Sequence, residues 1–276
     1  MSFEEIAAHY SSGDLWERLM QALEDAGADP ERPTLEQLAP YDHFHGRGLE
    51  ATEELAAGQT VGPHDHLLDI GSGLGGPARL MAARFGCRVT GIDLTREFCD
   101  VAERLNVLLG LSDRVNIEHG SATDMPFEAE QFDGAFSMNV SMNIEDKLSL
   151  YREIHRVLRP GAWLTLSEIA AGTNPDQLAF PTPWASEAAF SFLATPDETV
   201  ANLGKAGFDV RSMIDSREAA ARYSARSRDA VEAGGKPLHR AVMVVHGENA
   251  PAAMRNSGEA ARAGHVIPIE VRCLRH

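Results

Sequence analysis

The sequence predicts an α/β fold: a doubly wound, mostly parallel sheet with an N-terminal helical cap and a lid-like insertion. Three observations carry this. From His66 onward, short apolar runs alternate with amphipathic segments (HLLDIG, PARLMAARFG, CRVTGID, REFCDVAERLNVLLG, VNIEHG), the strand–helix–strand order that builds a parallel sheet with helices on both faces. The first of these strands runs into a glycine cluster, DIGSGLGG, immediately before a helix. Ahead of His66 the pattern is helical and lacks alternating strands.

Residues 1–62 read as the cap, broken at GADPERP and at the Gly-rich run 44–48, and residues 63–276 as the sheet domain. Pro77 suits the first turn of a helix, where a missing N–H costs nothing, and Gly86 and Gly110 sit where left-handed C-caps end two helices. FDGAFSMN then reads as a strand, DKLSLYREIHRVLRPG as a helix and AWLTLSEIA as a strand, which brings the parallel strands to at least five. Residues 171–195, rich in Pro and aromatics without a period, read as an insertion lying over a site. TPDETVANLGKAG follows as a helix and FDVRSMI as a strand. A second insertion, 216–264, is Ala-rich and mostly helical, with HRAVMVVHG as a possible short strand inside it, and IPIEVRCLR closes the sheet.

Composition narrows the function. A chain of 276 residues, 43% hydrophobic, suffices for one α/β domain with an accessory segment. Its net charge of −16 repels phosphate backbones and argues against a nucleic-acid partner. There is no apolar run long enough for a membrane span and no signal-like start, so a cytoplasmic location is expected. Cys87, Cys99 and Cys273 form no CxxC pair and read as buried free thiols; no metal is expected.

The chemistry centres on Asp69 and the glycines Gly71, Gly73, Gly75 and Gly76. Glycines there let the backbone turn sharply and approach a ligand at a helix N-terminus. Gly71, Gly73 and Gly76 also satisfy the dinucleotide pattern G-x-G-x-x-G, which keeps an NAD(P)-dependent oxidoreductase open as an alternative. Asp69 tips the balance: a carboxylate there repels a pyrophosphate but attracts a ligand carrying an ammonium and a sulfonium, and S-adenosylmethionine has both and no phosphate. Asp93, with Leu94 beside it, closes the next strand about 20 residues on, where a carboxylate accepts hydrogen bonds from both ribose hydroxyls. Ser121 and Ala122, in the loop GSATDMPF, fall at the level of an adenine edge.

With LLDIGSGLGG, VTGIDLT, GSATDMPF, FDGAFSMN and REIHRVLRPGAWLTLSE in this order, the chain resembles the Rossmann-like class I S-adenosylmethionine-dependent methyltransferases over roughly residues 40–215. Residues 44–52 (FHGRGLEAT) resemble a Gly-rich segment of the phosphoethanolamine and sarcosine/dimethylglycine methyltransferases. The resemblance implies that Phe44 and His45 touch the methionine end of the cofactor, that Tyr10 closes the site, and that Asn139 and Asn143 occupy positions after the fourth strand. Phosphoethanolamine enzymes have Asp and His at those two positions, the His pairing with the tyrosine; this chain departs at both.

Further candidates compete with plain structure. Glu168, placed at the end of the fifth strand, can hold an amine or accept a proton, or simply cap a loop. Of His43 and His45, one is expected to line the site. Trp184, Phe190 and Phe192 can wall a methylammonium group by cation–π contact, or pack in the core. His155 reads as surface, and His239 and His246 have no assigned role. The expected function is methyl transfer from S-adenosylmethionine to a small-molecule amine nitrogen or hydroxyl oxygen, assisted by Tyr10, His45, Asn143 or Glu168; a non-catalytic S-adenosylmethionine-binding protein is the other alternative.

Overall fold

The structure, a computed structural model, describes residue 7 and residues 9–276; residues 1–6 and 8 of the expected cap lie outside the described residues. A seven-stranded sheet runs in the order β3-β2-β1-β4-β5-β7-β6, with β1 His66–Ile70, β2 Arg88–Asp93, β3 Val115–His119, β4 Phe132–Met138, β5 Leu158–Ala171, β6 Phe208–Asp215 and β7 Val266–Arg275. The first five are mutually parallel, while β7 lies antiparallel between β5 and β6. This is the Rossmann-like sheet with a reversed last strand. Strand β1 is buried from Leu67 to Ile70 because helices cover both of its faces.

The helices are α1 Leu15–Glu24, α2 Leu35–Asp42, α3 Gly48–Ala57, α4 Gly76–Phe85, α5 Arg96–Leu108, α6 Lys147–Val157, α7 Pro196–Lys205, α8 Arg217–Glu232, α9 Ala241–His246 and α10 Ala250–Ala263. Pro77 stands in the first turn of α4, and Gly86 ends it in the left-handed region at φ 71°. In α1, Leu15, Leu19 and Leu23 stack at four-residue spacing and pack with Leu38, Phe98 and Leu105. That packing sets the cap on α5, beside the carboxyl ends of β1 and β2.

Two expectations change. HRAVMVVHG is not a strand: residues 241–246 form helix α9, which buries Val244 and Val245 against α1. With no sheet edge near, burial overrides the strand preference of the valines. Glu168 does not end β5, which continues to Ala171 because β7 pairs with it up to the Ala171–Val266 register. That pairing, with Glu168 opposite Ile269 and Asp215 opposite Ile269 on the other side, brings the start of β7 and the exit of β6 into α8 to the same edge as the carboxyl ends of β1–β5. Open α/β sheets bind ligands along that edge.

Candidate active site

The glycine loop is held by backbone geometry. Gly71 (φ 66°), Gly73 (φ 54°) and Gly75 (φ 77°) all lie in the left-handed region, and a Cβ on Gly71 would sit 2.3 Å from Cγ2 of Val140. Only glycine fits there. Asp93 laces the loop from the next strand: Oδ2 accepts from Gly73 N at 2.8 Å and Oδ1 from Thr95 N at 2.8 Å. Each oxygen keeps a lone pair for a ligand hydroxyl. Asp69 is 2% exposed and its Oδ2 has no partner. Burial, reinforced by the neighbouring Asp93, holds its carboxyl well above the usual range, so a cationic group entering the cavity would relieve an unpaired buried acid.

The cap is pinned to this loop by a buried ion pair. Arg79 of α4 donates to Asp42 Oδ2 at 2.8 Å, to Leu74 O at 2.5 Å and to Asn106 Oδ1 at 3.0 Å. His43 completes the pair through Nδ1 on Asp42 Oδ1 at 2.8 Å, behind the cavity wall. His45 is the one of the two that lines the cavity. Its Nε2 meets Thr52 Oγ1 at 3.1 Å and its Nδ1 Gly46 O at 3.2 Å, and burial keeps the ring neutral. With both nitrogens occupied, it serves to shape the wall. Asn139 (φ 61°) fastens the same segment to the sheet, its amide nitrogen donating to Ser167 O at 3.1 Å and its oxygen accepting from Gly46 N at 3.2 Å.

Tyr10 closes one end. Its hydroxyl donates to Asn143 Oδ1 at 2.9 Å and lies 3.2 Å from Trp184 O, while Asn143 Nδ2 donates to Trp184 O at 2.6 Å. Burial pushes the Tyr10 phenol far above its ordinary value, so it stays protonated. Its ring stands edge-on to Phe44 at 6.0 Å. Glu168, 3% exposed, takes hydrogen bonds from Val140 N (3.2 Å) and Ser141 N (3.1 Å) through Oε2. Its Oε1 lies 3.5 Å from the Ser137 hydroxyl, and the Ser141 hydroxyl also bonds to the carboxylate. Burial lifts this carboxyl to about 7. Glu168 thus caps a loop and also faces the pocket. Lys147 ties the same loop to the insertion, donating to Ser141 O at 2.6 Å, to Ile144 O, and to Phe192 O at 2.5 Å.

These groups open on one cavity of about 1400 Å³, which Phe44, Asp69, Gly71, Gly73, Asp93, Leu94, Ser121, Ala122, Asn139 and Glu168 all help to line. Gly75 stands behind it as the N-cap of α4. Of the three aromatics, Trp184 and Phe192 line the cavity, whereas Phe190 packs behind them with Met142 and Val266. His155 is half-buried against Phe208 at 5.4 Å instead of lying free on the surface. Sequence reasoning missed His246, whose ring stands 5.6 Å from Phe44 and 6.0 Å from Tyr10, and His239, which meets His43 O at 2.8 Å. The helical reading of 216–264 holds for α8, but its place on the cavity wall was missed. The available signal was positional: Arg217, Ala220, Ser224, Ser227 and Val231 recur at helical spacing and line the cavity.

Comparison with known proteins bears on the fold and the family. Residues 68–166 match the family model described as methyltransferase domain. The chain is 32% identical over 159 residues to 24-methylenesterol C-methyltransferase 2 of Oryza sativa subsp. japonica, covering 55% of this chain and 44% of that protein. It is 30% identical over 177 residues to methyltransferase GfsG of Streptomyces halstedii, covering 62% of each. The chain therefore spans between 44% and 62% of the length of these two curated relatives. Among solved structures, phosphoethanolamine N-methyltransferase 2 of Haemonchus contortus superposes with a TM-score of 0.72 at 19% identity, covering 100% of this chain and 60% of that one. Geranyl diphosphate C-methyltransferase from Streptomyces coelicolor A3(2) gives 0.69 at 19% identity, covering 99% and 98%. Residues 68–166 thus match a methyltransferase domain, and the fold is the Rossmann-like α/β fold seen in these solved methyltransferases.

Proposed function

We propose that this chain is an S-adenosylmethionine-dependent methyltransferase acting on a nitrogen or oxygen of a small molecule. The observation that carries the reading is the buried, unpartnered Oδ2 of Asp69, set at the glycine cradle beside the laced Asp93, in the same cavity as Tyr10 and Glu168. An orphaned carboxylate fits the ammonium of the cofactor and does not fit a pyrophosphate. When bound, S-adenosylmethionine supplies a methyl group already activated by its sulfonium. In this reading Asp69 holds the amino group, Asp93 and Leu94 the ribose, and Ser121 and Ala122 the adenine edge, while Phe44, His45 and Asn139 shape the methionine end.

The acceptor side follows from the same residues. Tyr10, hydrogen-bonded to Asn143, seals the site against water and orients the acceptor, and proximity contributes several kcal/mol, a rough figure. Glu168, poised near neutrality, accepts a proton at Oε1 from an amine or hydroxyl. The names of the relatives span carbon and nitrogen acceptors, from a 24-methylenesterol to a phosphomonomethylethanolamine complex. Asn139 and Asn143 set this chain apart from the phosphobase enzymes. Net charge of −16 disfavours a nucleic-acid substrate. No helix among the described residues is long and apolar enough to cross a membrane, and a cytoplasmic setting is part of the proposal.

The test is a melting curve with added ligands. S-adenosylmethionine should raise Tm, by an increment equivalent to about 2.7 kcal/mol at a hundredfold excess over Kd, and NAD should leave it unchanged. A shift with NAD and none with S-adenosylmethionine would overturn the assignment. Release of S-adenosylhomocysteine with a panel of amines, phenols and glycosides then identifies the acceptor.

A further inference from the structure

A pocket for one drug-sized ligand occupies roughly 300–1000 Å³, and the cavity here holds about 1400 Å³. The residues assigned to the cofactor lie at the ends of β1 to β4 and on the cap segment at Phe44 and His45. The remaining space runs the other way, past Trp184 and Glu168, into a chamber between α8, α10 and the start of β7.

Helix α8 is unusual among the helices facing the site. It has sixteen residues and none of them is buried, whereas α1 has ten and buries three leucines. A helix on a globular domain turns one stripe toward the core and packs it. The stripe of α8 that lines the chamber carries the small side chains Ala220, Ser224 and Ser227 together with Val231 and Arg217, and Tyr223 and Arg228 line it beside them. Across from it stand Met254 and Ala261 of α10, with Ile269 of β7 on the floor. Apart from Ser227, whose hydroxyl accepts from Leu238 N at 3.2 Å, and Tyr223, which stands beside Gly48, this face of α8 lies against open cavity, and the lining there mixes apolar side chains with Arg217, Arg228 and Arg262.

We propose that the acceptor is a bulky, largely apolar molecule, long-chain or polycyclic, whose body fills this chamber and supplies the packing that α8 lacks. Its reactive atom points toward Glu168 and Asn143. A compact amine of a few atoms leaves the chamber empty and the α8 stripe unsatisfied. The proposal rests on the methyltransferase reading for the position of the reactive end, while the chamber and the unpacked stripe stand on the fold alone.

The test is hydrogen exchange of residues 217–232 in the full chain, with and without S-adenosylhomocysteine. The probes are farnesol and β-estradiol as apolar molecules, and sarcosine and ethanolamine as compact amines. At least one apolar probe should slow exchange in α8 tenfold or more, and the amines should not. Ala220→Trp on α8 and Ser257→Trp at a cavity-lining position of α10, which fill the chamber from opposite walls, should each abolish that protection while binding S-adenosylhomocysteine as the wild type does. Protection by an amine alone, by no probe, or unchanged in both Trp variants would overturn the proposal. Failure of S-adenosylhomocysteine to bind the wild type would strike the methyltransferase reading instead, because the apolar probes are also tried without it.

Discussion

The two halves of the cavity are built by opposite means. On the β1–β3 side the wall is backbone held in place: three left-handed glycines, two carboxylates at strand ends, and a buried Arg79–Asp42 pair that pins the cap. On the α8–α10 side the wall is a helix without a buried residue, facing open space with alanine and serine among the longer Arg217, Tyr223 and Arg228. The first half is finished before any ligand arrives; the second is finished by what it binds. Rigid recognition of an invariant group and loose packing around a variable one have different structural signatures.

Breaking the rigid half should cost most. Gly71→Ala places a methyl group 2.3 Å from Val140 and forces a side chain into φ 66°. Left-handed strain of about 1–2 kcal/mol and overpacking of about 1–3 kcal/mol together predict a Tm lower by on the order of 10 °C and loss of S-adenosylhomocysteine binding. Unchanged melting and binding would show that the cradle is not close-fitted. Ala220→Gly on α8, by contrast, should cost only about 1 kcal/mol, the helix-propensity difference.

Glu168 joins the two halves through the 140–144 loop, and its pH dependence sharpens the comparison. Burial raises its folded pKa to about 7 from 4.5. The folded state therefore holds the proton more tightly than the unfolded chain does. The stability this contributes is complete below pH 4.5 and is lost as pH rises through 7, up to about 3 kcal/mol in all. Gln keeps an acceptor for Val140 N and Ser141 N and does not titrate. The difference in unfolding free energy between Glu168→Gln and wild type should grow in favour of the variant from pH 5 to pH 8. A constant difference would mean that Glu168 titrates normally. Such denaturant titrations cancel the half-buried histidines His9 and His239, both lowered to about 4, because these are common to both proteins.

A smaller effect is expected at the seal. Tyr10→Phe removes one hydrogen bond to Asn143, worth about 1 kcal/mol, so turnover should fall roughly tenfold. Because the phenol is held above its ordinary value, no limb of the rate profile between pH 6 and 10 should vanish. A thousandfold loss together with a lost limb would make Tyr10 a proton-transfer group.

Sequence legibility follows the same division. The rigid half could be read because its chemistry depends on residue type at fixed spacing: glycine where φ is positive, aspartate at strand ends, proline in a first turn. The α/β order was readable for the same reason, since two periodicities alternate along the chain. The α8 wall was not, because Ala220, Ser224 and Ser227 at helical spacing look like any solvated face until β6 and β7 are paired. His239 reaches the cavity, and His246 the rings of Tyr10 and Phe44, only through packing of residues 239–246 on the cap, a long-range contact with no local mark. The α9 valines misled because strand preference carries little weight where no sheet edge is available.

The most direct test of the central claim is calorimetry of S-adenosylhomocysteine with wild type and Asp93→Ala. The variant also loses acceptors for Gly73 N and Thr95 N, so its melting curve must first show a cooperative fold. Given that, the wild type should bind, and Asp93→Ala should bind about ten- to a hundredfold more weakly, equivalent to roughly 1.5–3 kcal/mol for lost charge-assisted hydrogen bonds. Equal affinity in the folded variant, or no heat of binding with the wild type, would contradict the account.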